Sequence, residues 1–176
     1  MRIIGIAGKA ESGKTTFANI LKEELELQHK RVLLINYGDF VKFICTKYYN
    51  WNGETDEKGR ALLQHIGTEQ GRLAVNENIW VDMVINTVMV ASRDYDIAII
   101  GDCRFPNEFE RWNEHGIDIY KIKIERNNYV NHLTEQQKHH QSETALDNYK
   151  KCVIVTNDGT LKDLRQIAKQ IIKVNF

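Results

Sequence analysis

Short apolar runs alternate along the chain with longer stretches that carry a single apolar stripe. Ile3, Ile4, Gly5, Ile6 and Ala7 make one run of strand length. Val32 to Ile35, Ile97 to Ile100 and the group Cys152, Val153, Ile154 and Val155 make three more. Ile117, Ile119, Ile122 and Ile124 mark another strand over residues 117–124. Between these runs, Phe17, Ile20, Leu21 and Leu25 recur at helical spacing over residues 13–28. The same spacing joins Val81, Val84, Ile85 and Val88, and later Leu161, Leu164, Ile167, Ala168 and Ile171. Asn107 and Glu110 predict a capping box for a further helix to His115, ended by Gly116. Uninterrupted apolar strands that alternate with helices predict an α/β fold, a five-stranded parallel sheet between two helical layers.

Two stretches depart from this rhythm. Residues 40–78 are more polar and helical in character, with a turn signal at Asn50, Trp51, Asn52 and Gly53. Within residues 58–75, Leu62, Leu63, Ile66 and Leu73 are expected on one side, and Gln64, Thr68 and Arg72 form a polar row four residues apart. Gly67 and Gly71 lie on the adjoining row, where each costs about 1 kcal/mol against alanine. Such a pair implies close approach by a ligand or by another helix. Residues 127–140 are polar without periodicity, as expected of a lid over a binding edge. Their His132, His139 and His140 match no common metal spacing. Ser142 is a candidate cap for the turn that follows.

The 176 residues suit one domain with a substantial core. Lys and Arg number 24 and so do Asp and Glu, so no net field favours nucleic acid. Cys45, Cys103 and Cys152 are widely spaced and odd in number, which favours a reducing compartment over a disulfide framework. The first apolar run is too short for a signal peptide or a membrane span. A cytoplasmic location is the expectation.

The first strand runs into Gly8, Lys9, Ala10, Glu11, Ser12, Gly13, Lys14 and Thr15, which fit G-x-x-x-x-G-K-[ST]. The strand before it and the helix after it supply the context this pattern needs. Gly8 and Gly13 permit a curl that turns backbone N–H groups inward, and the helix start adds its positive end. Lys14 is expected on the β- and γ-phosphates of a nucleotide and the Thr15 hydroxyl on Mg²⁺, with Thr16 beside it.

Ligands of such sheets gather at the carboxyl ends of the strands. Asp39 follows the second strand, either as a group near Mg²⁺ or the acceptor, or as the N-cap of a helix from Phe40. Asp102 ends the third strand, where a second Mg²⁺ element is expected. Arg72, Arg104 and Arg126 come from separate segments and fit cations that follow charge during phosphoryl transfer. The Asn157, Asp158 and Gly159 turn is either a lining for the nucleotide base or an ordinary strand–helix turn. No N-K-x-D sequence follows the loop, which disfavours a switch GTPase.

Three further stretches sharpen the picture. Leu62-Leu63-Gln64-His65-Ile66-Gly67-Thr68-Glu69-Gln70-Gly71-Arg72, Asp102-Cys103-Arg104-Phe105-Pro106-Asn107-Glu108 and His140-Gln141-Ser142-Glu143 resemble the deoxynucleoside monophosphate kinases of bacteriophages. The resemblance implies a three-layer P-loop fold with strand order 2-3-1-4-5, a helical monophosphate-binding insertion over about 40–78 and a lid over about 126–143. It implies ATP and Mg²⁺ as cosubstrate and cofactor, and transfer to a deoxynucleoside monophosphate (dNMP) directly and in line. It places Lys42, Gln64, Thr68 and Arg72 with the monophosphate, Asp102 and Arg104 at the catalytic edge, Arg126 and Glu143 in the lid region, and Asn157 by the ATP base. Relatives often carry Arg-Pro after the fourth strand, where Arg126 here precedes Asn127. Alternative readings are a related kinase for dephospho-coenzyme A or phosphomevalonate, and a non-catalytic ATP sensor. Small molecules are the expected partners, with neither nucleic acid nor membrane, and a homodimer is a compatible assembly.

Overall fold

The structure is a computed structural model that describes residues 1–127, 129–130 and 132–176. Its strands are β1 (Arg2–Gly8), β2 (Val32–Ile35), β3 (Ile97–Cys103), β4 (Ile119–Glu125) and β5 (Val153–Thr156). They pair in parallel in the order β2-β3-β1-β4-β5. Parallel neighbours require crossovers, and helices supply them: α1 (Lys14–Glu26), α2 (Tyr37–Tyr48), α3 (Glu57–Gln64), α4 (Ile79–Ala91) and α5 (Asn107–Glu114), while α8 (Leu161–Asn175) follows the last strand. Two single-turn helices, α6 (Glu135–Lys138) and α7 (Gln141–Thr144), lie between β4 and β5.

Alternation along β1 divides the core. Ile4 and Ile6 face α1 and α8, whose Phe17, Leu21, Leu25 and Ala168 are fully buried. Each such large side chain contributes roughly 1.5–3 kcal/mol by leaving water. Ile3 and Ala7 face the other layer, with Val81, Val84 and Val88 of α4 and Phe109 and Trp112 of α5. All strands therefore point their carboxyl ends to one edge, and the loops after them meet there. Among the described residues, no helix is long and apolar enough to cross a membrane.

The local structure departs from the sequence pattern in five places. The second helix begins at Tyr37 rather than Phe40, with Asn36 as its N-cap. Asp39 is its third residue and turns back, accepting the Asn36 backbone N–H at 2.8 Å. Asn107 does not cap α5, because Pro106 precedes the helix and Asn107 is already inside it. His140, not Ser142, caps α7 through its ring nitrogen, which accepts the Ser142 N–H at 3.2 Å. The polar stretch from 127 to 140 holds α6 under a Thr134–Gln137 capping box, while Asn128 and Asn131 lie outside the described residues.

The fifth departure positions the site. His65–Leu73 is a π-helix that continues α3. Bonding from i to i+5 widens the turn, so residues four apart drift back as much as they drift ahead in an α-helix. Gln64, Thr68 and Arg72 thereby stay on one stripe, while Leu73, expected among the apolar residues, is 66% exposed. Gly71 is explained by packing. A methyl there would lie 2.6 Å from the Trp80 ring, and Trp80 donates its indole N–H to the Gly67 carbonyl at 2.7 Å. Helix contact, not ligand contact, accounts for that glycine.

Candidate active site at the carboxyl edge of the sheet

The loop between β1 and α1 is a strained cradle. Gly8, Glu11 and Gly13 all have left-handed backbone angles (φ 150°, 62° and 98°). A methyl on Gly8 would meet the Ile124 carbonyl at 2.6 Å and the Ser12 hydroxyl at 2.7 Å. That hydroxyl is buried and has no hydrogen-bond partner among the described residues. Asn157, after β5, braces the loop by donating its side-chain amide to the Ser12 carbonyl at 2.8 Å. Lys14 folds back to donate to the Lys9 carbonyl at 2.6 Å. Its burial, helped by the nearby Arg104 charge, lowers its pKa from 10.5 to about 7. Thr15 and Thr16 are exposed at the cradle mouth.

A cavity of about 770 Å³ opens from this cradle. One end is lined by Ala10, Glu11, Gly13, Lys14, Thr15 and Thr16. The other reaches the helical insertion, with Lys42 of α2, Arg60 and Gln64 of α3, and Thr68 and Arg72 of the π-helix. Asp102, Arg104 and Glu108 form the floor between them, and Arg126, Glu143 and Asn157 close the sides. Lys42, Arg60, Gln64 and Thr68 make no side-chain hydrogen bond or ion pair among the described residues, so their polar groups are free to face a ligand.

Asp102, Arg104, Asn107 and Glu108, at and just after the end of β3, each have defined partners. Asp102 accepts the backbone N–H groups of Tyr37 at 2.8 Å and Gly38 at 2.9 Å, which pins the start of α2 to the end of β3. Burial raises its pKa and those two donors pull it back. Pro106 offers no N–H, and Glu108 instead reaches back to the N–H groups of Arg104 and of Phe105, the latter at 3.0 Å. Its other oxygen pairs with Arg72, and both side chains are almost wholly buried. Burial pushes the Glu108 carboxyl up to about 7, against the pull of Arg72. Arg72 also donates to the Glu77 carbonyl at 2.9 Å and to Asn107 at 3.2 Å, and it stacks 4.1 Å from the centre of the Phe105 ring. Its Nε and one Nη2 hydrogen stay unassigned. Arg104 uses only Nη1, on Glu143 and on the Ser142 carbonyl at 3.2 Å, leaving Nη2 and Nε. Arg126 is exposed and lies over Tyr129 at 4.2 Å.

The structure thus brings Ala10, Glu11, Gly13, Lys14, Thr15 and Thr16 of the cradle, with Lys42, Gln64, Thr68, Arg72, Asp102, Arg104, Arg126, Glu143 and Asn157, around one cavity, while Gly8, Lys9 and Ser12 shape the loop without lining it. Asp39 lies apart from the site. It is exposed, caps its own helix and does not line the cavity, because the helix start lies three residues earlier than the apolar pattern suggested. Asn157 meets the loop backbone. Sequence reasoning missed Arg60 and Glu108. Arg60 lies four residues before Gln64 and extends the polar row by one step, so the signal was present. Glu108 stood inside a noticed stretch, but only the fold reveals that it buries a guanidinium. Among the described residues, no group of three or more His, Cys, Asp or Glu side chains could hold a metal ion.

Comparison with known proteins adds names to this geometry. The family model for deoxynucleotide monophosphate kinases matches residues 27–167. A deoxynucleoside-5'-monophosphate kinase of Escherichia phage T5 is 47% identical over 55 residues, 31% of this chain and 21% of that protein. An uncharacterized protein of Ictalurid herpesvirus 1 (strain Auburn) is 33% identical over 106 residues, 59% of this chain and 43% of that one. The chain therefore spans under half the length of these relatives. Among solved structures, a sugar kinase of Janibacter sp. HTCC2649 superposes with a TM-score of 0.58 at 11% identity, over 99% of this chain and 96% of its own. The Deinococcus radiodurans tunicamycin resistance protein gives 0.55 at 13%, with the same coverage. A Mycobacterium tuberculosis APS kinase in complex with AMPPNP and APS gives 0.53 at 11%, over 98% and 97%. At these identities the structures speak to the fold. The family match begins just past the end of α1 and ends inside α8, so it rests on the insertion, the β3 edge and the lid region rather than on the phosphate loop, and it shows that the chain belongs to the deoxynucleotide monophosphate kinase family.

Proposed function

We propose that the protein transfers the γ-phosphoryl group of ATP directly and in line to a dNMP, giving the diphosphate. One observation carries this: a single cavity joins a phosphate cradle at one end to the unpartnered polar stripe of the helical insertion at the other. The insertion is the monophosphate-binding segment, and residues 126–143 are the lid region. The reaction belongs to the cytoplasm, of the host if the gene is phage-borne.

The cradle suits nucleotide phosphates on its own features. The Ser12 hydroxyl lacks a partner, a methyl on Gly8 would obstruct the curl, and Lys14 has only a loop carbonyl to bind. Mg²⁺ would be held by Thr15 and the nucleotide phosphates with Asp102 nearby, since it commonly takes few protein ligands. Bound there, it would neutralise charge on the β- and γ-phosphates. The loop N–H groups and Lys14 hold the ATP phosphates, and Asn157 keeps the loop in shape. Lys42, Gln64 and Thr68 orient the acceptor, and Arg72, itself fixed by Glu108 and Phe105, presents its remaining donors to the acceptor phosphate. Arg104 bridges the two ends, and Arg126 reaches in from the lid. No general base is required, because an acceptor phosphate is already ionised at neutral pH. Alignment and charge stabilisation supply the rate.

A coupled ADP-release assay with Mg²⁺-ATP tests this against dNMPs, NMPs, dephospho-coenzyme A and phosphomevalonate. Turnover with at least one dNMP is expected. Turnover confined to the other acceptors, or absent throughout, refutes the proposal.

The lowered pKa of Lys14 makes nucleotide affinity pH-dependent. The free amine titrates near 7, and a bound phosphate raises its pKa by favouring the ammonium. The Lys14 contribution is therefore complete below about pH 7 and falls, at most about tenfold per pH unit, as pH rises towards the bound-state value. Calorimetric ATP affinities from pH 6 to 9, compared with Lys14→Met to remove the nucleotide's own titration, check this. Parallel profiles for the two proteins would contradict it.

A further inference from the structure

Glu143 belongs to α7, on the segment between β4 and β5, yet its carboxylate lies inside the phosphate cradle. One oxygen accepts the Ala10 backbone N–H at 2.8 Å, and the other pairs with Arg104. The side chain is 7% exposed. Lys14 is near enough to feel its charge. A loop N–H and a guanidinium, with an ammonium beside them, are the donors that a phosphoryl group in transfer requires. Here they surround a carboxylate supplied by the protein itself.

The same segment grips the loop at the neighbouring positions. Lys9 pairs with Asp147 at 2.9 Å. Glu11 accepts the Tyr129 hydroxyl at 2.9 Å and the His132 backbone N–H at 3.2 Å. Three consecutive loop residues are thus tied to one stretch of chain, with Glu143 at the centre and the most buried of the contacts.

We propose that Glu143 is a latch, occupying the place of the terminal phosphate of ATP in the nucleotide-free protein and giving way when that phosphate arrives. This rests on the kinase reading of the same cavity. Two anions so close repel strongly where water is scarce, so the carboxylate and the phosphate exclude one another. The phosphate carries more charge and more acceptor oxygens, and it wins the Ala10 N–H, Arg104 and Lys14 together. Displacement then releases Arg104 Nη1 to follow the phosphoryl group and loosens α7 from the loop. An acceptor that binds first meets an arginine whose charge is already matched. The latch thereby keeps Arg104 Nη1 and its charge engaged until ATP has bound.

The test measures nucleotide binding by calorimetry on the full chain without acceptor. Glu143→Gln keeps the side chain's size and removes its charge. ATP affinity is expected to rise on the order of tenfold, about one charge-assisted contact, while AMP affinity stays unchanged. An unchanged or weaker ATP affinity, or an equal gain for AMP, overturns the latch. Failure of the wild-type protein to bind ATP would overturn the kinase reading as well. Amide hydrogen exchange on the wild-type protein gives a second readout that needs no variant. A saturating non-hydrolysable ATP analogue is expected to speed exchange at residues 141–147. Unchanged or slower exchange there overturns the proposal.

Discussion

Lys14→Met is expected to lower kcat/KM for phosphoryl transfer by at least about a thousandfold while leaving the protein folded. The reasoning compares two losses. In the free protein Lys14 makes one hydrogen bond, to the Lys9 carbonyl, and is buried at an energetic cost that has already moved its pKa to about 7. Methionine keeps the aliphatic length, removes the desolvated amine and forfeits that one bond, a net change of about 1 kcal/mol or less. For a chain of this size, Tm should move by no more than about 4 °C. In the transition state the same ammonium faces negative charge in a site from which water is largely excluded, where such a contact is worth several times more. Steady-state kinetics beside a thermal melt separate the two. A variant that keeps even a tenth of wild-type activity would remove Lys14 from the mechanism. One that fails to fold would mean the lysine holds the loop together.

Glu108→Ala should be the most damaging single change to stability, about 3–5 kcal/mol. The carboxylate is buried and serves three donors, Arg72 and the backbone N–H groups of Arg104 and Phe105. Alanine leaves a guanidinium uncompensated in the interior and two N–H groups unsatisfied. Urea denaturation would show the loss, with a fall in Tm of roughly 6–20 °C. The double variant Arg72→Met, Glu108→Leu provides the control. Removing both charges abolishes the uncompensated guanidinium, so the pair should be more stable than Glu108→Ala alone. If the double variant is no better, the damage comes from the loop after β3 and not from the buried charge.

The sheet was legible in the sequence because β1 and β3, at its centre, are buried on both faces and read as continuous apolar runs, β4 alternates, and β2 and β5 at the edges are short but wholly apolar or nearly so. β2 falls on the predicted residues, and the order of all five follows from the parallel rule and the resemblance. The cradle was legible because its chemistry is local: eight consecutive residues between a strand and a helix. Partners distant in sequence were not. Nothing in the residues around Glu108 tells that Arg72 will lie against it, or that Asp102 will hold the first N–H groups of α2. Asp39 misled because an acid after a strand looks the same whether it faces a ligand or its own helix, and only the position of Asn36 decides. Arg60 was overlooked because the row was counted from Gln64 onward. The His140 cap went unseen because Ser is the commoner capping residue and stands two places later.

The π-helix from His65 to Leu73 has a consequence for how this protein can tolerate insertion and deletion. Measured against an α-helix, it holds one residue more than its length in space requires. Losing a residue there would look harmless on paper, since the stretch would simply relax to the commoner helix. It would also rotate everything downstream by about 100°, the turn of one α-helical residue. Arg72 would swing out of the pocket formed by Glu108 and Phe105, and Gly71 would no longer meet Trp80. The surplus residue works like a shim in a bearing: thin and without chemistry of its own, yet it sets the angle at which the arginine meets the cavity.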